Sequence, residues 1–152
     1  MAYTKDTYRG LFIPKNPQKY LGNVHQIVYR SSYELRFMKW CDFNENVLQW
    51  GSEEIVIPYT SPLDGKIHRY FVDFFIKIRN RDNNIKKYLI EVKPYRFTQE
   101  PVAPQRKTKK FISEVYQWAV NNAKWDAAKK IAKNNGWEFM LITEKDLGLL
   151  QK

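Results

Sequence analysis

Between Arg69 and Lys93 the chain alternates as two β-strands around a polar turn should. In the first strand Tyr70, Val72, Phe74 and Ile76 fall on one face, and Phe71, Asp73 and Phe75 on the other. Both faces are apolar except at Asp73, which predicts a central strand covered on both sides. The second strand, Lys87 to Lys93, puts Tyr88, Ile90 and Val92 on one face and Leu89, Glu91 and Lys93 on the other. Arg81-Asp82-Asn83-Asn84 between them is rich in residues that tolerate left-handed φ. Asp73 and Glu91 each lie nine residues from Asp82, so they should oppose one another. That sets them on neighbouring strands about 4.8 Å apart. Facing carboxylates repel, and a buried one is costly without a hydrogen bond or a cation. A divalent metal ion with Lys93 beside it would supply the missing charge.

The remaining periodicity predicts a helix over Arg30 to Asp42, capped by Ser31 or Ser32, with Tyr33, Phe37, Trp40 and Cys41 as its apolar stripe. Ser31-x-x-Glu34 is a capping box, so Glu34 has a structural role available to it. Trp50 to Tyr59 reads as a strand ending near Pro58, with Glu53 a second-rank site candidate at its start. Ser61 to Gly65 is a turn. Pro94 to Pro104 holds three prolines and reads as an extended loop, with Arg96 and Gln99 near enough in sequence to reach a substrate. The run Gln105 to Lys110 then opens a helix over Phe111 to Asn121, which the Asn121-Asn122 pair should break. A second helix follows over Lys124 to Asn134, with Asn134-Asn135-Gly136 as its C-cap. Trp137 to Thr143 is a strand and Glu144 to Leu150 a short helix. Residues 1–28 lack sustained periodicity: Lys15 and Lys19 suit either a phosphate backbone or a packed extension.

Composition sharpens this picture in three ways. The 152 residues fit one domain with a substantial core, and 43% apolar with 16% aromatic residues argues against disorder. A net charge of +10 points to a polyanionic partner, nucleic acid first. Lysines at a helix N-terminus oppose the helix dipole, so Arg106, Lys107, Lys109 and Lys110 are better explained by phosphate contact than by helix stability. The single cysteine, Cys41, excludes an internal disulfide and fits a reducing cytoplasm. No apolar run has membrane-spanning length, and His25 and His68 lack zinc-ligand spacing.

An Asp on one strand followed by Glu91-Val92-Lys93 on the next resembles the PD-(D/E)xK nuclease superfamily, with Val72 in place of its leading Pro. The order helix, three strands, helix, strand over residues 30–143 is similar to that superfamily's αβββαβ core, a mixed sheet flanked by helices. Residues 1–28 are then an extension. The resemblance implies a nuclease in which Asp73, Glu91, Glu34 and the carbonyl of Val92 hold one or two Mg²⁺ ions, with Mn²⁺ able to substitute. It implies that Lys93 acts on the attacking water or on the phosphorus, leaving 5′-phosphate and 3′-hydroxyl ends. Arg30, Arg96, Gln99, Arg106, Lys107, Lys109 and Lys110 would hold the DNA backbone. Tyr29-Arg30-Ser31, Trp50-Gly51-Ser52-Glu53, Ile57-Pro58-Tyr59, Glu91-Val92-Lys93-Pro94 and Thr98-Gln99 to Pro104 further resemble the head completion nucleases of T-even-type tailed bacteriophages. That implies action on packaged DNA ends in the host cytoplasm, portal, neck or capsid proteins as partners, and room for incorporation in the virion head. Two other readings stand beside it: a non-catalytic DNA-binding head or neck protein, and another PD-(D/E)xK endonuclease acting on transposon ends or junctions.

Overall fold

The computed structural model describes residues 9–150. Its strands and helices are β1 (Gly10–Leu11), β2 (Val28–Tyr29), α1 (Ser32–Phe43), β3 (Val47–Ser52), β4 (Val56–Thr60), β5 (Ile67–Phe71), β6 (Phe74–Arg79), β7 (Ile85–Val92), α2 (Lys109–Asn134), β8 (Glu138–Ile142) and α3 (Glu144–Leu150). Four strands form the central sheet in the order β3-β6-β7-β8. Its pairings are antiparallel except for β7 with β8, which α2 joins in parallel. The expected αβββαβ string is therefore present as α1-β3-β6-β7-α2-β8, with β4 and β5 inserted as a separate two-stranded ribbon.

Period-two alternation sorts the sheet residues onto two cores. Phe74, Ile76, Ile90 and Val92 pack with Phe37, Met38 and Cys41 of α1 and with Leu147 of α3. Phe75 and Leu89 pack with Trp125, Ala128 and Ala132 of α2. Helices thus cover both faces, as the doubly apolar strands demand. Phe37 is fully buried, its ring centroid 4.6 Å from that of Phe74. Phe37→Ala is expected to lower unfolding free energy by about 3–5 kcal/mol, measured by urea denaturation.

Four expectations need correction. The strand read over Trp50 to Tyr59 is two strands, β3 and β4, in different sheets. The continuous strand through Tyr70 and Ile76 likewise divides into β5 and β6 at Val72-Asp73. Asn121-Asn122 does not break the long helix. Asn122 turns its side-chain amide onto the carbonyl of Trp118 (2.8 Å), and buried Asn121 accepts from Gln117 (2.9 Å). Both amides find partners one turn back within the helix, so neither offers the chain a non-helical alternative. Lastly, the helix starts only at Lys109, capped by Thr108 Oγ1, which accepts from Phe111 N–H at 3.1 Å. Arg106 and Lys107 lie in the preceding loop.

The far end of α2 follows the sequence reading. Gly136 adopts φ +74°, its N–H donates to Lys133 O (3.2 Å), and Trp137 N–H donates to Ala132 O (2.7 Å). This is the paired-bond cap that glycine permits.

The described part of the N-terminal segment is packed onto the core. Phe12, Tyr20 and Ile27 join the α1 core. Buried Asp42 accepts from the backbone N–H groups of Lys15 (2.8 Å) and Asn16 (3.0 Å). The ammonium of Lys19 donates to the carbonyls of Cys41 (2.6 Å), Asp42 (3.0 Å) and Asn44 (2.8 Å), closing the C-terminal end of α1. Of the two roles open to Lys19, the structure shows packing.

Candidate active site

The site grows from an irregularity shared by the two split strands. Ser52 pairs with Phe74 on one side of it and Val56 with Phe71 on the other, so Glu53-Glu54-Ile55 face only Val72-Asp73. One extra residue on one chain is a β-bulge. Glu53 takes it up with φ +56°, and donates its N–H to Asp73 O (3.1 Å) while Val72 N–H reaches Ile55 O (3.1 Å). The ribbon turns out of the sheet here, and alternation changes sides. Tyr70 and Val72 lie with Phe75 in the α2 core, while Phe74 faces α1. Strict alternation had put Tyr70, Val72 and Phe74 together; the bulge is why it fails.

Across the hairpin the expected register holds. Phe74 pairs with Ile90 and Phe75 with Leu89, which continues to Asp73 opposite Glu91. The hairpin turn forms around Asn80, whose Oδ1 accepts from the N–H groups of Asp82 (3.0 Å) and Asn84 (2.9 Å), with Asn83 at φ +64°. Asp73 Oδ2 accepts from the backbone N–H of Val92 at 2.9 Å. Buried Glu91 accepts through Oε2 from the Tyr70 hydroxyl, and its Oε1 lies 3.8 Å from Nζ of half-buried Lys93.

Charge is under-compensated here. Burial, then the charges of Glu91 and Glu34, push the Asp73 carboxyl well above its ordinary range, against the Val92 N–H and Lys93. Burial also raises Glu91, which Tyr70, Lys93 and Lys124 stabilise as the anion. Two carboxylates held together at this cost, with a lysine alongside, leave negative charge that a cation would offset.

Glu34 keeps the capping role. Ser31 Oγ accepts from its N–H (3.1 Å) and donates to its Oε2 (3.2 Å). Its charge nevertheless acts on Asp73, and burial raises its own pKa. Among the described residues no three His, Cys, Asp or Glu side chains gather closely enough to hold a metal ion together. Asp73 and Glu91 meet as a pair with Lys93, and Glu34 stands one step back on its cap.

The basic residues are distributed over several elements. Arg30 is ion-paired to Glu53 at 2.7 Å. Arg96, in a short 3₁₀ turn after Pro94, lies 4.5 Å from the Phe97 ring centroid, and Gln99 donates to Thr98 (3.1 Å). That turn is held from α3: Tyr95 N–H donates to the Glu144 carboxylate (2.9 Å), and Lys145 sits 3.5 Å from the Tyr95 ring centroid. Lys109 and Lys110 occupy the exposed first turn of α2. At 1.5 Å per residue, Lys109 is about 22 Å along the helix from Lys124.

Two residues at the site escaped the sequence reading. Tyr70 looked like ordinary strand packing. Lys124 lies one turn before buried Ala128, on the inward face of α2, with Nζ 5.5 Å from the Tyr70 ring centroid and 5.8 Å from that of Tyr59. A lysine on an apolar helix stripe was the available signal.

Two comparisons bear on this geometry. A family model described as the TnsA-like endonuclease N-terminal domain matches residues 44–144, spanning the bulge, the paired carboxylates, Lys93 and α2. The chain is also 42% identical, over 94% of its length and 95% of the other protein's, to the head completion nuclease of Enterobacteria phage T4.

Proposed function

This chain belongs to the TnsA-like endonuclease family, and on that footing we propose that it hydrolyses DNA phosphodiester bonds with Mg²⁺ at the Asp73–Glu91–Lys93 centre. The observation that carries the proposal is the hairpin register, which sets buried Glu91 opposite half-buried Asp73 beside a lysine. The donors are all hard oxygens, which suit Mg²⁺ and also admit Mn²⁺. Asp73, Glu91 and the Val92 carbonyl would hold the ion, and Glu34, one step back on its cap, would act on it through its charge. When bound, the ion lowers the pKa of a coordinated water and offsets charge on the scissile phosphate.

The protein's own groups do the rest. The Val92 N–H fixes the Asp73 carboxylate, and the bulge aims it at Glu91. The Lys93 ammonium orients the attacking water and stabilises charge growing on the phosphoryl oxygens. Arg96, Gln99, Arg106, Lys107, Lys109 and Lys110 would hold backbone phosphates, as would Arg30 on exchanging Glu53 for one. With about 22 Å of helix between Lys109 and Lys124, the lysines of the first α2 turn would contact phosphates remote from the cleaved bond. The triple change Lys107→Gln, Lys109→Gln, Lys110→Gln is expected to flatten the slope of log K against log salt for duplex binding by about 2–3. An unchanged slope would remove that segment from the interface.

By likeness to its phage relative, the chain acts as a nuclease at head completion; its substrate would then be DNA of filled heads in the infected host's cytoplasm, and its partner a portal, neck or capsid protein. The test is cleavage of linear and supercoiled DNA with Mg²⁺, with Mn²⁺ and with EDTA. Cutting that requires either ion supports the proposal, and nicking of the supercoiled form identifies endonuclease action. Binding without cutting under every condition would transfer the chain to the structural reading.

A further inference from the structure

We propose that Tyr70 is a positioning residue that fixes the Glu91 carboxylate for metal binding. Its hydroxyl donates to Oε2, which leaves Oε1, the oxygen beside Lys93, as the donor presented to the ion. The inference rests on the metal-dependent reading above and adds to it the residue that sets the carboxylate's rotation.

Three observations support this role. Tyr70 comes from β5, outside the four-stranded sheet, and the register slip at the bulge carries its side chain into the core that also holds Leu89. A regular strand would have turned it to the other face. The phenol is also rigidly held: Tyr70 is 4% exposed, packed in the α2 core, with the Lys124 ammonium 5.5 Å from its ring centroid. Finally, Glu91 is itself 7% exposed, so its carboxylate has little water to satisfy the oxygen turned away from the site. A ligating carboxylate whose second oxygen is hydrogen-bonded keeps one orientation, and loss of such outer partners weakens metal affinity or activity by about 10–100-fold. Neighbouring Tyr59 also faces Lys124, at 5.8 Å, and packs in the same core, which makes it the matched control.

Tyr70→Phe removes the hydroxyl and keeps the ring that packs. The full-length variant would be titrated with Mn²⁺ by calorimetry, and single-turnover DNA cleavage measured at limiting and saturating Mn²⁺. The expected result is Mn²⁺ affinity weaker by about 10–100-fold, cleavage reduced at limiting Mn²⁺, and recovery at saturation. Circular dichroism should show an intact fold, and Tyr59→Phe should behave as wild type. Wild-type affinity in Tyr70→Phe would overturn the inference while leaving the nuclease reading intact. A loss that saturating Mn²⁺ does not repair would overturn it too, because the phenol would then act in the chemical step. If the wild type neither binds Mn²⁺ nor cuts, the nuclease reading fails first and the inference with it.

Discussion

Asp73→Asn is expected to abolish DNA cleavage, by about a thousandfold or more, while making the metal-free protein more stable. The activity loss follows from removing one of two carboxylates that face each other at the hairpin register, since metal stabilisation of the transition state is worth several kcal/mol. The gain in stability follows from the pKa. Asp73 is pushed well above its ordinary value of 3.8 by burial and by the charges of Glu91 and Glu34. Below the unfolded value both states carry the proton, and the site costs nothing. As pH rises from about 4 toward the raised folded value, ionisation is progressively penalised in the folded state alone. Above that value the penalty is complete. Asn cannot ionise, and its amide oxygen can still accept from the Val92 N–H. The Tm curves of wild type and variant should therefore meet near pH 4 and separate upward, with Asn the higher. A variant that is inactive but less stable at neutral pH would contradict this account of the carboxylate pair.

Lys93→Met should be inactive for a different reason, with the opposite effect on stability. Nζ of Lys93 lies 3.8 Å from Glu91 Oε1, and its charge favours the ionised forms of both Asp73 and Glu91. Met keeps the apolar stem and removes that charge, leaving buried Glu91 and half-buried Asp73 with less compensation, so Tm near neutral pH should fall. Activity should drop by about 10²–10⁴-fold, the range for a positioned group acting on the attacking water or the developing charge. Metal affinity should persist or rise, because a cation has been taken from beside the site. Calorimetry with Mn²⁺ separates the cases: Asp73→Asn loses binding, and Lys93→Met keeps it. If Lys93→Met cut DNA as fast as wild type, the lysine would be a structural counter-ion only.

The exposed start of α2 belongs to the same functional picture. Ile112, Val115 and Tyr116 are 42%, 37% and 54% exposed, whereas Trp125, Ala128 and Ala132 further along are buried. The helix packs on the sheet through its second half, and its first half extends beyond the sheet with Lys109 and Lys110 at the tip. In the proposed function this arm would follow a nucleic-acid backbone away from the carboxylates. In the sequence this division was concealed by placing an interruption at Asn121-Asn122, where two amides hydrogen-bond within the helix instead.

The candidate pair itself was legible because a hairpin obeys simple counting. Once the turn was centred on Asp82, equal spacing put Asp73 opposite Glu91, and Phe74 with Ile90 keeps that register. The helix cap at Ser31, the glycine cap at Gly136 and the order of the sheet-forming elements were equally local, set by residues within a few positions of one another. Local chemistry therefore determined the order of the central-sheet elements and the hairpin register, and with them which charged residues meet at its end. The bulge was a different matter. Glu53 at positive φ, opposite the Val72-Asp73 break, reflects two distant segments paired with unequal numbers of residues. No periodicity in either segment alone reveals an offset that exists only between them. That offset put Tyr70 against Glu91, just as the wrapping of α2 over the sheet put Lys124 above Tyr70. These contacts join residues 21 and 54 positions apart, and only the tertiary structure decides them, because it alone fixes which faces meet.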